Sequence, residues 1–216
     1  MNPAEFEDNR RAMIVSQLRT NGISEGWITA AMGKLPREAF VPADRAAAAY
    51  MDRSVDLGHG RYLNPPLATA LMLSHGEVSA DDNALIIGAG TGYLAALLAG
   101  KVSEVTAVED NAALAQQAKA NLKDSKATVV EGPLAQGWQG SAPYSLIIID
   151  GAIEELPQAI IDQLAEGGRI VAGQSEGAVT RLAVGDRHGD NVAPWPIADT
   201  EIARLPGFER AKEFVF

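Results

Sequence analysis

The sequence predicts an α/β fold: a mostly parallel sheet with helices on both faces, an antiparallel edge near the C-terminus and a helical cap at the N-terminus. Three observations predict it. From residue 83 onward, strand-like apolar runs alternate with helix-like ones, the pattern of a parallel sheet covered on both faces. A glycine-rich turn, Gly88-Ala89-Gly90-Thr91-Gly92, joins the first run to a helical pattern starting near Tyr93, as in the first βα unit of a Rossmann-type sheet. Before residue 81 the apolar residues recur mainly at helical spacing. The 216 residues suit one domain, with 1–80 as the cap and 81–216 as the sheet core.

The elements follow in order. Met13, Ile14 and Leu18 mark a first helix, which Asn21-Gly22 stops. A second helix spans about 24–34, with Ile28 and Met32 on one face. Residues 55–64 read as a loop. Pro65 and Pro66 suit the first turn of a helix carrying Leu67, Ala70, Leu71 and Leu73, and Asn64 suits its N-cap. Strands are expected at 84–87, 105–108, 128–130, 146–149 and 169–172. Helices are expected at 93–99, 111–122 and 156–165. The tail reads as antiparallel strands at 179–184 and 212–216, with a turn region at 185–191.

Composition removes several classes of function. A net charge of −10, with no basic run beyond Arg10-Arg11, argues against binding nucleic-acid phosphates. Cysteine is absent, so disulfides, thiolate metal sites and thiol nucleophiles are excluded together. His59, His75 and His188 are too scattered for a metal site, and none is expected. No apolar run approaches the roughly 18 residues of a membrane span. The acidic start lacks the basic and apolar regions of a signal peptide, and a cytoplasmic location is expected.

The glycine turn carries the binding chemistry. Gly88, Gly90 and Gly92 let the backbone approach a ligand closely, and Thr91 lies among them. Glu109 falls 21 residues after Gly88, where a carboxylate can take both hydroxyls of a ribose; as a helix N-terminal charge it has a second reading. The Gly-x-Gly-x-Gly spacing leans toward S-adenosylmethionine over a dinucleotide. Asp150, at the end of the fourth sheet strand, faces the same cleft, and His59, between two glycines, falls at its rim.

Further segments widen the pattern: Met13–Leu18, Gly22-Ile23, Leu35-Pro36-Arg37-Glu38-Ala39-Phe40-Val41-Pro42, Leu57-Gly58-His59-Gly60, Gly137-Trp138 and Leu164–Val171. With the glycine turn they resemble the protein-L-isoaspartate O-methyltransferase family nearly end to end. The resemblance implies a Rossmann-type methyltransferase fold, S-adenosylmethionine as methyl donor, and an isoaspartyl carboxylate of a protein or peptide as acceptor. It leaves the oligomeric state open, a homodimer included. It also implies site residues. Asn64 stands where the family usually has a serine that orients the substrate carboxylate, and with His59 it borders the acceptor. Ile86 stands in place of a glutamate. Pro133 and Leu134 follow Gly132 where a Gly-Asp-Gly usually offers its aspartate to the adenine amino group. These departures lead to an expectation of reduced or altered methyl transfer, beside the alternative of a non-catalytic binding or scaffolding relative. An enzyme should show an open cleft at the strand ends. A scaffold should show it filled by Leu134, Tyr62 or the 61–64 segment.

Overall fold

A computed structural model describes residues 1–210, and the strand expected at 212–216 lies outside them. Helix α1 (Pro3–Met13) is closed at its start by a capping box between Asn2 and Glu5 and continues through Ile14–Leu18 and Arg19–Asn21 as a π turn and a 3-10 turn. Gly22, at φ 85°, ends this run in the left-handed conformation that glycine adopts without steric cost. Helix α2 (Gly26–Lys34) buries Ile28 and Met32, the two residues its spacing marked.

The segment 55–64 corrects one expectation. It is not a plain loop but an antiparallel hairpin, β1 (Val55–Gly58) and β2 (Arg61–Leu63), which interrupts the helical run before residue 80. Its burial alternates, Arg61 and Leu63 inward and Tyr62 outward, so the short period-2 signal was present between the glycines. Helix α3 (Pro66–His75) follows, with Pro at its first position. Asn64 is not its cap: the amide of Leu67 donates instead to Asp52 Oδ1, at 3.3 Å, which frees the Asn64 side chain for tertiary contacts.

The remaining elements are β3 (Asn83–Ile87), α4 (Tyr93–Ala99), β4 (Glu104–Glu109), α5 (Ala112–Asn121), β5 (Ala127–Glu131), β6 (Tyr144–Ile153), α6 (Gln158–Ile161), β7 (Leu164–Glu176), β8 (Val179–His188), β9 (Asn191–Val192) and β10 (Trp195–Asp199). The sheet order is β10-β8-β7-β6-β3-β4-β5, with β9 beside β8. From β7 to β5 all neighbours are parallel; β8 and β10 add the antiparallel edge. Ala84 and Ile86 pack with α3, α4 and the N-terminal helices, while Leu85 and Ile87 pack on the other face with Val108, Ile147, Ile149 and Ile160. Both faces are covered, which is why β3 is apolar from Ala84 to Ile87.

Two further expectations need correction. The helix expected at 156–165 is one turn, α6, because Leu164 already pairs with Tyr144 as the start of β7. The turn region at 185–191 is mostly strand: β8 runs to His188 and only Gly189-Asp190 turn before β9. Among the described residues no helix is long and apolar enough to cross a membrane, and no group of three metal-ligating side chains forms.

Candidate active site

The chain leaves β3 toward β4 on one side, while β6 lies on the other, so the sheet has its switch point at the C-terminal ends of β3 and β6. Gly88 follows the last residue of β3, and Asp150 lies in β6 directly after Ile149, the last β6 residue paired with β3. The glycine turn has the expected backbone: φ is 87° at Gly88, 53° at Gly90 and 93° at Gly92, all left-handed. Its polar groups, however, are engaged within the protein. The amides of Gly88 and Ala89 donate to Val108 O at 3.0 and 2.9 Å, and Gly90 N–H donates to Glu109 Oε2 at 2.6 Å. Thr91 Oγ1 donates to Phe40 O at 2.6 Å, and Asn121 Nδ2 donates to Thr91 O at 2.9 Å. Residues 88–93 are all buried.

Glu109 is 0% exposed, and its carboxylate faces the guanidinium of Arg61, with Nη1 2.7 Å from Oε1. The amide of Asn111 adds a donor to Oε1 at 3.2 Å. Burial pushes the Glu109 carboxyl up to about 7, against the downward pull of Arg61 and of the Asn111 and Gly90 amides. Arg61 also reaches Asp110 Oδ1 at 3.0 Å. The carboxylate expected to hold a ribose therefore holds an arginine.

The same guanidinium covers the turn. A side-chain carbon on Gly88 would lie 2.9 Å from Arg61 Nη2 and 2.9 Å from Leu205 Cδ1; one on Gly90 would lie 3.2 Å from Leu57 Cδ1. Leu205 belongs to a segment, Ile202–Phe208, laid against β6. Ala152 N–H donates to Ala203 O at 2.8 Å, Leu205 N–H to Ala152 O at 2.9 Å, and Glu154 N–H to Phe208 O at 3.2 Å. Of the three fillers expected for a closed cleft, the 61–64 segment supplies one side chain, Arg61. Tyr62 is exposed, and Leu134 is buried in the core cluster that contains Ile87 and Val108. Pro133 beside it is exposed.

Asn64, beside Asp150 at the switch point, is buried. Its Nδ2 donates to Asp150 Oδ1 at 2.7 Å, and its Oδ1 accepts from Ala203 N–H at 2.8 Å. Its backbone oxygen accepts from Arg37 Nη2. Burial pushes the Asp150 carboxyl up, while the Asn64 amide and the Arg61 and Arg37 guanidiniums pull it down. His59 is exposed on the hairpin turn, with φ 56°. Asn64→Ala is expected to cost about 1–3 kcal/mol, because Asp150 and the Ala203 amide each lose a partner out of water. Urea unfolding checks this, and an unchanged midpoint would mean that the pairings contribute nothing.

The sequence marks the 61–64 segment as a filler of a closed cleft but does not single out Arg61 as the partner of Glu109, and Leu205 is not foreseen at all. Arg61 carried a signal: a lone cation at an inward position of a short alternating strand, in a chain whose buried charge needs a partner. Leu205 carried none, since its contact is set by the path of the chain after β10. In this arrangement the polar groups of the turn and of Glu109 are paired within the protein. Both oxygens of Glu109 accept hydrogen bonds, Arg61 and Leu205 lie against Gly88, and Leu57 lies against Gly90.

The family described as protein-L-isoaspartate(D-aspartate) O-methyltransferase matches residues 9–194. A protein-L-isoaspartate O-methyltransferase of Methanoculleus marisnigri is 41% identical over 166 residues, 76% of each chain. One from Herpetosiphon aurantiacus is 35% identical over 214 residues, 96% of each chain. Among solved structures, a protein-L-isoaspartate O-methyltransferase superposes with TM-score 0.78 at 24% identity, covering 92% of this chain and 66% of that one. A Plasmodium falciparum protein in complex with S-adenosyl-L-homocysteine superposes with TM-score 0.75 at 19% identity, covering 89% and 96%. At these identities the two superpositions speak for the fold alone.

Proposed function

The chain belongs to the protein-L-isoaspartate(D-aspartate) O-methyltransferase family, and from that membership we propose that it methylates the carboxylate of an isoaspartyl residue in a protein or peptide, with S-adenosylmethionine as donor. The observation that carries the reading is the meeting of the glycine turn, Glu109 and the Asn64–Asp150 pair at one switch point. A carboxylate is ionised at neutral pH, so its esterification needs no general base from the protein. What the protein supplies is position, and alignment of this kind contributes roughly 7–11 kcal/mol.

Asn64 suits the acceptor. Its amide N–H already holds one carboxylate, that of Asp150, and an acceptor would take it over at the same atom. Asp150 disfavours a second anion beside it, and the upward push of burial on its carboxyl lessens that repulsion. The cytoplasmic location belongs to this proposal as well.

The occupied glycine turn favours a second reading, a non-catalytic relative that binds a protein partner. Two measurements separate them: calorimetric titration with S-adenosylhomocysteine, and base-labile methyl ester formed on an isoaspartyl peptide but not on its aspartyl isomer. Binding together with ester supports the enzyme. No heat at millimolar ligand and no ester would leave the second reading.

A further inference from the structure

The pair over the glycine turn is an odd way to fill a core. Arg61, 5% exposed, spans the space between Glu109 and Gly88, where an apolar side chain would pack without desolvating a charge. A buried guanidinium–carboxylate pair contributes little net stability against a hydrophobic replacement, so stability does not explain its placement. Its second partner does point to a role. The Asp110 side chain is 44% exposed and lies at the rim, 3.0 Å from the same Nη1. Arg61 can therefore swing toward solvent while it keeps an acidic partner.

Leu205 closes the other side. The atoms nearest Gly88 are its terminal methyls, Cδ1 at 2.9 Å and Cδ2 at 3.2 Å from a side-chain carbon placed there. Its Cβ, by contrast, sits tightly over Gly151, 2.7 Å from the corresponding position, and its backbone is bonded to Ala152. The leucine tip can turn without the segment leaving β6. Both fillers are thus side-chain ends, and both can move with the backbone of the fold in place.

We infer that Arg61 and the tip of Leu205 form a built-in plug of the donor site, an autoinhibitory contact that a sulfonium nucleoside must displace before Glu109 and the glycine turn can receive it. The inference rests on the methyl-donor reading of the site. A ligand that must first break the plug binds with an affinity reduced by the fraction of open molecules. The site is then empty at low donor concentration and switches on only when the donor outcompetes Arg61 for Glu109.

The test uses S-adenosylhomocysteine with the full chain and two independent variants, Arg61→Gln and Leu205→Ala, each checked for folding by circular dichroism and thermal melting. Both variants are expected to bind it about tenfold or more tightly than the wild type, since each removes one displaced group. A second readout needs no variant. Phenylglyoxal labelling at Arg61, followed by peptide mass spectrometry, is expected to rise when wild-type protein is saturated with S-adenosylhomocysteine. Equal affinity in all three proteins, with unchanged Arg61 labelling, would overturn the plug and leave the methyl-donor reading standing. No binding at millimolar ligand by either folded variant would overturn the donor reading and the plug with it.

Discussion

Arg61→Ala is expected to lower folding stability by about 3–5 kcal/mol at pH 8, the cost of leaving a buried carboxylate without its cation. The loss should shrink markedly at pH 5. The groups around Glu109 are Arg61 from β2, Asp110 beside it in the chain, and the amides of Gly90 and Asn111. In the folded protein the Glu109 carboxyl is raised from 4.5 to about 7, so between those values the folded state holds a proton that the unfolded state releases. Its contribution is fully present below 4.5 and is lost as pH rises through about 7. Without Arg61 the carboxyl is pushed higher still, which extends the loss upward in pH. Urea unfolding of wild type and variant at pH 5, 6.5 and 8 reads this directly. A difference between the two proteins that stays the same at all three values would exclude Glu109 as its source. Glu109→Gln, which cannot titrate, should flatten the wild-type profile over the same range.

Arg37→Ala is expected to cost a similar amount, about 3–5 kcal/mol on the scale of large buried side chains cut back to alanine. Arg37 is the largest fully buried side chain among the described residues. Its Nε donates to Ala49 O at 2.6 Å, its Nη2 donates to Asn64 O, and its guanidinium carbon lies 4.8 Å from the centroid of the Tyr93 ring. It thereby ties the N-terminal cap, the strand of backbone that carries Asn64, and the first residue of α4 to one planar group. Burial pushes its pKa down, yet an arginine remains charged, and the Tyr93 ring face with the two carbonyls supplies the compensating negative potential. Arg37→Lys should recover little of the loss, because an ammonium cannot make the same forked, stacked contact. Denaturant midpoints of the three proteins decide it. A lysine variant as stable as wild type would show that only the charge matters.

The glycine turn, the five parallel strands around it, the stop at Gly22 and the Pro66 helix start could all be read from residues lying next to one another. Glycine spacing, β-branched runs and proline position act through local backbone geometry, and local geometry is written in adjacent residues. The misread helix at 156–165 shows the limit. Leu156, Ile160, Ile161 and Leu164 have helical spacing, but Leu164 pairs with Tyr144 across β6, and that ladder prevails. The hairpin at 55–63 was hidden for a different reason: its strands are only four and three residues long, too short for a period-2 pattern to stand out.

The sequence alone determined the sheet, the glycine turn at its switch point and, through resemblance, the family. The state of the site was decided by tertiary structure. Arg61 meets Glu109 across 48 positions of chain, and Asn64 meets Ala203 across 139. Leu205 reaches Gly88 only because the chain after β10 returns along β6. Charge pairing and close packing act through space, so the residues that close the cleft bear no fixed spacing to the glycines they cover.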